Sequence, residues 1–389
     1  MTSTIIIAFC SLLLIAYVFD LTSANTKIPS VILLLLLGWF IRQMTVFLPF
    51  ELPDLSSILP VFGTIGLILI VLEGALELEL DKSKIGLVVK SFLGALIPLL
   101  VLAFIFTTMF RHFGGYSFRD SLINAIPLCV ISSAIAIPSV KGFTTYNKEF
   151  VIYESSFSDI IGVIFFNFII NNESYGANTF LHFGGQLILI VIISFLATMG
   201  LSYLLHKIDH HIKFIPIILL VILIYIISKE FHLPSLVFIL FFGLFIGNLD
   251  RFKHFKWIEK FRIDELKKES QKFKEITSEG AFLVRSLFFL LFGYLLETKE
   301  ILNSETIMWS AIIVILIFVV RFLQLKVSNF PLKPLLFIAP RGLITILLFL
   351  SIEPIHNIAL VNNSLIVQVI ILTALIMMLG LLTRTIKSK

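Results

Sequence analysis

Charge is scarce in this sequence. Asp, Glu, Lys and Arg supply only 14% of the residues while apolar side chains supply 58%, and the mean hydropathy is +1.03. A soluble domain carries about a quarter charged residues, so the shortage excludes a water-soluble globule and leaves a polytopic membrane protein. Cysteine is almost missing: Cys10 and Cys129 stand in different apolar segments with no disulfide or zinc spacing, and both read as packing residues. No His-Glu-x-x-His motif occurs and no Ser/His pair is placed for nucleophilic attack, so neither an enzyme nor a resident cofactor is expected. The pI of 9.1 reflects Lys and Arg gathered in loops, and it gives no reason to expect a nucleic-acid partner.

What the chain has in abundance is long apolar runs. Measured against the roughly 20 residues that a membrane-crossing helix needs, thirteen segments qualify, near 4–20, 28–46, 58–76, 86–110, 121–141, 149–170, 184–206, 213–229, 234–248, 281–297, 305–325, 334–351 and 360–384. The first has no Lys or Arg before its apolar run, unlike a signal peptide, and counts as a span. The 40 Phe residues suit lipid contact and helix packing. Lys and Arg concentrate in the loops after odd-numbered helices and in the C-terminal tail, which places the N-terminus outside and the C-terminus in the cytoplasm of a cell-membrane protein. Four basic residues, Lys90, Arg285, Arg321 and Arg341, fall inside spans. The one sizeable soluble stretch is the cytoplasmic loop 249–280, where Phe252, Phe255, Ile258 and Phe261 at helical spacing predict a helix on the membrane surface, with a solvated linker as the alternative.

The chain also repeats itself. Lys27-Ile28-Pro29-Ser30-Val31 through Gly38-Trp39-Phe40-Ile41 aligns without gaps on His232-Leu233-Pro234-Ser235-Leu236 through Gly243-Leu244-Phe245-Ile246. The matched helices are the second and the ninth; an odd separation puts them in opposite orientations, as in an inverted repeat. The expected fold is therefore all-α with thirteen transmembrane helices: a first six-helix repeat over 1–170, a linker helix over 171–212, and a second repeat over 213–389. The fifth and twelfth helices form a pair of discontinuous helices, interrupted at Pro127 and Ile137-Pro138 in one and at Ala339-Pro340-Arg341-Gly342 in the other. Matched breaks of this kind point to a midplane binding site.

The sixth helix carries two acids, in Glu154-Ser155-Ser156-Phe157-Ser158-Asp159. If that helix begins near Glu149, a rise of about 1.5 Å per residue puts Asp159 roughly 15 Å deep, about half of the hydrocarbon core. An ionisable group there is a functional candidate by default. Glu154 and Asp159, five apart, point about 140° away from each other, whereas Ser155 shares a face with Asp159 and Ser158 with Glu154.

These residues resemble the monovalent cation/proton antiporters, especially the NhaP-type sodium/proton exchangers. The likeness lies in the acidic helix, in Leu72-Glu73-Gly74-Ala75-Leu76-Glu77-Leu78-Glu79-Leu80 of the third helix, and in Pro340-Arg341-Gly342-Leu343 of the second broken helix, and it extends over essentially the whole chain. Two departures stand out: Ser158 precedes the key aspartate where the family has Asn or Asp, and the fifth helix reads Ile131-Ser132-Ser133-Ala134-Ile135-Ala136-Ile137-Pro138 where many relatives have Thr-Asp-Pro.

The resemblance implies alternating-access exchange of a monovalent cation for H+, with Asp159 as proton and cation carrier. Na+ is the first expectation, K+ or Li+ the variant; a K+/H+ antiporter and a sodium-coupled symporter of an organic solute are the alternative readings. Asp159, Ser155, Ser158, Ser132, Ser133 and Glu73 are the candidate ion ligands, all oxygen donors suited to a hard cation. Glu154 and Arg341 are expected to form a structural ion pair, since an unpaired arginine inside a membrane is costly, while Arg285 is either a counter-charge for Asp159 or, near the start of its helix, a residue that snorkels to the cytoplasmic surface. With Ser158 uncharged and Glu154 paired, one titrating group per cycle predicts electroneutral exchange. The expected partners are membrane lipid and a second copy in a homodimer.

Overall fold

The computed structural model describes residues 2–26, 28–45, 58–78, 82–140, 142–172, 176–207, 213–231, 233–249 and 263–385. Among them the regular structure is helical throughout, as a lipid environment requires of a chain whose backbone groups must satisfy one another. The helices are α1 Thr2–Thr26, α2 Ser30–Thr45, α3 Leu59–Glu77, α4 Ile85–Gly114, α5 Phe118–Cys129, α6 Ser133–Ser139, α7 Thr145–Ile170, α8 Ala177–Lys207 and α9 Phe214–Glu230. They continue as α10 Leu236–Gly247, α11 Ile263–Leu295, α12 Thr298–Ile301, α13 Ser304–Val327, α14 Leu332–Leu335, α15 Leu343–Leu350 and α16 Asn363–Thr385. Every apolar segment singled out above falls on one helix or on two helical pieces around a break. Eight helical stretches among the described residues are long and apolar enough to cross a membrane.

Local sequence accounts for most of these boundaries. Pro29-Ser30 and Pro234-Ser235 open α2 and α10, where a proline at the start loses no helical hydrogen bond. Ser117 caps α5 by accepting the Asp120 amide, and Asn303 caps α13 by accepting that of Glu305. Two boundaries differ from expectation. The first break is not at its prolines: Pro127 lies within α5 and Pro138 within α6, and the chain is extended between them at Val130–Ser132. A proline's missing donor is tolerated inside a helix where neighbours compensate. The tenth span begins earlier than hydropathy suggests, because α11 runs without interruption from Ile263 and takes in the second part of the expected surface loop. Phe252, Phe255, Ile258 and Phe261, like Lys27, His232 and Glu79, lie outside the described residues.

The chain forms two compact units. One comprises Met1–Thr64, Lys90–Gly162 and Leu283–Lys389, the other Ile65–Val89 and Val163–Phe282. In the first, α2 presses on α11: a Cβ on Gly38 would lie 2.2 Å from the Leu290 carbonyl, and one on Gly293 2.3 Å from that of Leu35. In the second, the repeat mate α10 presses in the same way on α3, where a Cβ on Gly243 would lie 2.5 Å from the Ala75 methyl and one on Gly247 2.6 Å from the Leu76 carbonyl. The glycines of the aligned repeat thus serve one purpose in both halves: they let helix backbones touch, as small residues do in membrane interiors.

The second unit also holds the start of α11 in place. Ser278 donates to Glu73, Lys274 lies 4.0 Å from Glu77, Ser270 donates to the Ile246 carbonyl at 2.8 Å, and Glu269 pairs with Lys213 at 2.8 Å. That segment is therefore a docked helix and not a free linker.

Candidate functional site

The site is built on α7 and on the two helix breaks, all within the first unit. Glu154, Ser155, Ser158 and Asp159 are each about 1% exposed. The first break leaves Ile131, Ser132 and Ser133 with backbone amides that no preceding helical turn satisfies. Each finds a partner elsewhere. Ile131 N–H donates to Ser158 Oγ at 2.9 Å, and Ser132 N–H donates to the Pro340 carbonyl of the second break at 2.9 Å. Ser133 donates to Asp159 Oδ2 both from its backbone, at 3.3 Å, and from its hydroxyl.

The two breaks come close enough that residue size matters. A Cβ on Gly342 would sit 2.7 Å from Ile135 Cδ1 and 2.8 Å from Ser132 Oγ. Arg341, beside it and 1% exposed, turns its guanidinium onto backbone oxygen: Nε donates to the Leu128 carbonyl at 2.8 Å and Nη1 to the Ala339 carbonyl at 3.2 Å. Its backbone amide donates to Thr373 Oγ1 at 3.1 Å. Leu128 belongs to the last turn of α5, where unsatisfied carbonyls gather about half a negative charge. Arg341 is therefore held by a helix C-terminus and by loop carbonyls.

This corrects the expected Glu154–Arg341 pair. Glu154 Oε1 accepts from Arg321 Nη1 on α13 and from Gln324 Nε2 at 2.5 Å, and Arg321 is 2% exposed. Arg321 also donates to Gln324 Oε1 at 2.8 Å and to the Leu335 carbonyl at 3.2 Å, with Phe150 against its guanidinium. The pair was expected because an arginine inside a membrane is costly without an acid, but carbonyl oxygens answer Arg341 here. The wrong arginine was chosen because a helix end satisfies Arg341 without any acid. Arg321 and Gln324 are the residues that sequence reasoning missed; the signal available was an intraspan arginine with a glutamine three residues on, sharing its helix face.

The other candidate ligands divide. Asp159 and Ser133 are in contact, and Ser132 adjoins them through the chain. Ser155 donates to Val151 O of its own helix at 2.7 Å, and Ser158 is engaged by the Ile131 amide. Glu73 lies in the second unit as the acceptor from Ser278. Arg285, half-buried on α11, makes no ion pair among the described residues. Two oxygens at the break, Asp159 Oδ1 and Ser132 Oγ, are buried with no hydrogen-bond partner. Among the described residues no three His, Cys, Asp or Glu side chains gather as a polydentate metal centre would require. The arrangement is a buried carboxylate beside two serines, with no ion pair to an arginine or lysine among the described residues.

Such a fold, an all-helical bundle with two broken helices meeting a buried carboxylate, is that of a membrane transporter. The sodium/hydrogen exchanger transmembrane family matches residues 9–388, and the chain belongs to that family. It is accordingly a multi-pass cation/proton antiporter and not an enzyme. In fold it is similar to the sodium/proton antiporter MjNhaP1 from Methanocaldococcus jannaschii. Against the structure at pH 8 the TM-score is 0.68 with 19% identity, covering 98% of this chain and 96% of that one. Against the structure from an electron-microscopy map it is 0.69 with 18% identity, covering 100% and 99%. No curated protein matches the chain.

Proposed function

We propose that the chain exchanges Na+ for H+ by alternating access, with Asp159 as the group that carries one or the other. What supports this reading is the asymmetry at Asp159: a buried carboxylate with one unpartnered oxygen, the Ser133 amide and hydroxyl on the other, and no ion pair to a cation among the described residues. Such a carboxylate is stable in a membrane interior only when neutralised. A proton does this, and so does a hard monovalent cation held by Asp159 together with Ser132 and Ser133. If the site changes sides only when occupied, the two ions exchange. Glu154 is held by Arg321 and takes no part in the count, so one H+ leaves for each cation and the cycle is electroneutral.

The inverted repeats, 1–170 and 213–389 about the linker helix at 171–212, would provide the two access states by exchanging conformations. The N-terminus lies outside and the C-terminus inside, and two copies form the working dimer in the lipid. Potassium is the alternative cation, because Ser132 and Ser133 replace a charged ligand with hydroxyls and so weaken the field that favours a smaller ion. The test is dequenching of a pH-sensitive dye in proteoliposomes on adding NaCl, LiCl or KCl at fixed ionic strength. Proton movement with NaCl and LiCl but not KCl is the expected result; movement with KCl alone overturns the choice of cation, and movement with none overturns exchange.

A further inference from the structure

The carrier site leaves one cavity of the second unit without a role. It holds about 290 Å³ and lies where the last turns of α7, the first turns of α8 and the residues that open α10 meet. α7 contributes Ile164, Asn167, Phe168 and Asn171, spaced as i, i+3, i+4 and i+7 on one helix face. α8 contributes His182, Phe183 and Gln186, and Pro234 closes the side toward α10. Sites for small ligands begin at about this size.

Amides dominate the polar part of the wall. Asn172 donates to the Phe168 carbonyl at 2.8 Å, which uses one of its donors. The side-chain amides of Asn167, Asn171 and Gln186 make no hydrogen bond among the described residues. Gln186 is the sharpest case, because it is half-buried within the apolar stretch Leu181–Leu204. An amide at such a place is costly unless it is paired, and amides inside a membrane ordinarily bond across to a neighbouring helix. Here they line a shared cavity instead.

The chemistry of the wall selects the ligand. No Asp, Glu, Lys or Arg lines the cavity, so neither a phosphate nor an ammonium headgroup finds a permanent counter-charge there. Each amide offers two donors and an acceptor, a set that matches neighbouring hydroxyls, which also donate and accept. Phe168 and Phe183, with ring centres 4.7 Å apart, add an aromatic wall. The electron-rich face of such a ring suits the C–H face of a sugar. An apolar track then leads away along α8. Leu189 and Leu196 follow His182 by seven and fourteen residues on one line of the helix, and they are 48% and 63% exposed. The track runs from the cavity toward the middle of the span, where lipid chains lie.

We infer that this cavity binds the sugar headgroup of a neutral glycolipid, with an acyl chain laid along Leu189 and Leu196 of α8. On the membrane orientation proposed above, the lipid belongs to the outer leaflet. The binding itself depends neither on that orientation nor on the transported ion. A free sugar would use the same amides and leave the track beside them bare.

The test is native mass spectrometry of the full chain released from a polyoxyethylene detergent, which carries no sugar of its own. Monoglucosyl diacylglycerol, phosphatidylglycerol and phosphatidylcholine are offered in equal amounts. The glucosyl lipid should be retained about tenfold more than either phospholipid, the size expected from one or two net hydrogen bonds. Asn167→Leu combined with Gln186→Leu removes two amides at similar size and should abolish the preference. Asn178→Leu, an amide of α8 outside the cavity, should leave it intact. Phe183→Leu should reduce it about threefold, and it decides the matter if the double variant does not fold. Equal retention of the three lipids, a preference for phosphatidylglycerol, or a preference that survives the double variant overturns the proposal. Methyl glucoside in large excess should not displace the lipid; displacement would overturn the lipid and make a soluble sugar the occupant.

Discussion

Glu154 and Asp159 stand on the same helix, five residues apart and equally buried, each 1% exposed. Their surroundings are opposites. Around Glu154 everything is complementary: Arg321 supplies the charge, Gln324 a further donor, and Phe150 packs on the guanidinium. Around Asp159 the donors are a single serine's amide and hydroxyl, and one carboxylate oxygen has nothing. Burial therefore does not distinguish an acid with a built-in counter-charge from one without. The difference lies in whether the fold has already provided the compensating charge, because a carboxylate with a permanent partner has no reason to take up a proton or a cation.

That contrast is most directly challenged at Asp159. Asp159→Asn should abolish cation-driven proton movement in proteoliposomes, a loss of at least a hundredfold, and should leave thermal stability in detergent unchanged or raised, since the amide removes an uncompensated buried charge. Residual exchange above a tenth of the parent rate would show that the carrier is elsewhere.

The Glu154 side should break in the other currency, stability. Arg321→Ala strands a buried carboxylate, at a cost of about 3–5 kcal/mol, and should lower the Tm well below that of Asp159→Asn. The double variant Arg321→Met with Glu154→Gln should recover most of the loss, because a buried pair replaced as a unit is often neutral. A double variant as unstable as Arg321→Ala would mean that Arg321 is needed for its bond to the Leu335 carbonyl and not for Glu154.

The smallest effect sharpens the account of Asp159 itself. Ser133→Ala removes one hydroxyl donor from the carboxylate but keeps the backbone one, a change worth about 1 kcal/mol. Apparent cation affinity should shift about fivefold with kcat little altered, measured from the sodium dependence of dye dequenching. Loss of all activity would place Ser133 at the centre of the chemistry and not at its edge.

Much of this was legible in the residues. Apolar runs marked the helices because each span's cost or gain in lipid is a sum over its own side chains. The break at Pro340–Gly342 was visible, as was the separation of the two acids of α7 onto different faces, since a rotation of about 100° per residue parts positions 154 and 159 without reference to anything else. Asp159 stood out by its position within an apolar run. The first break was harder: Pro127 and Pro138 suggested where it was but sit inside helices, and the extended residues are Val130–Ser132, which carry no local mark. The helical segment of α11 ahead of its apolar run was hidden because it is polar and is held by Glu73, Glu77 and Lys213 from distant parts of the chain.

Pairing was where sequence ran out. Arg321 and Arg341 are both arginines inside apolar spans, and each needs its charge answered. Nothing in either neighbourhood says that one will meet a glutamate 167 residues away while the other caps a helix end 213 residues away. A long flexible side chain reaches any of several helices, and the choice depends on where the break of α5 and α6 leaves bare carbonyls. Helix content, the repeat and the depth of Asp159 depend on composition and periodicity over a few turns, and those are local properties of the chain. Which acid meets a cation and which does not depends on packing between segments far apart in sequence, and that packing leaves Asp159 Oδ1 with no hydrogen-bond partner among the described residues.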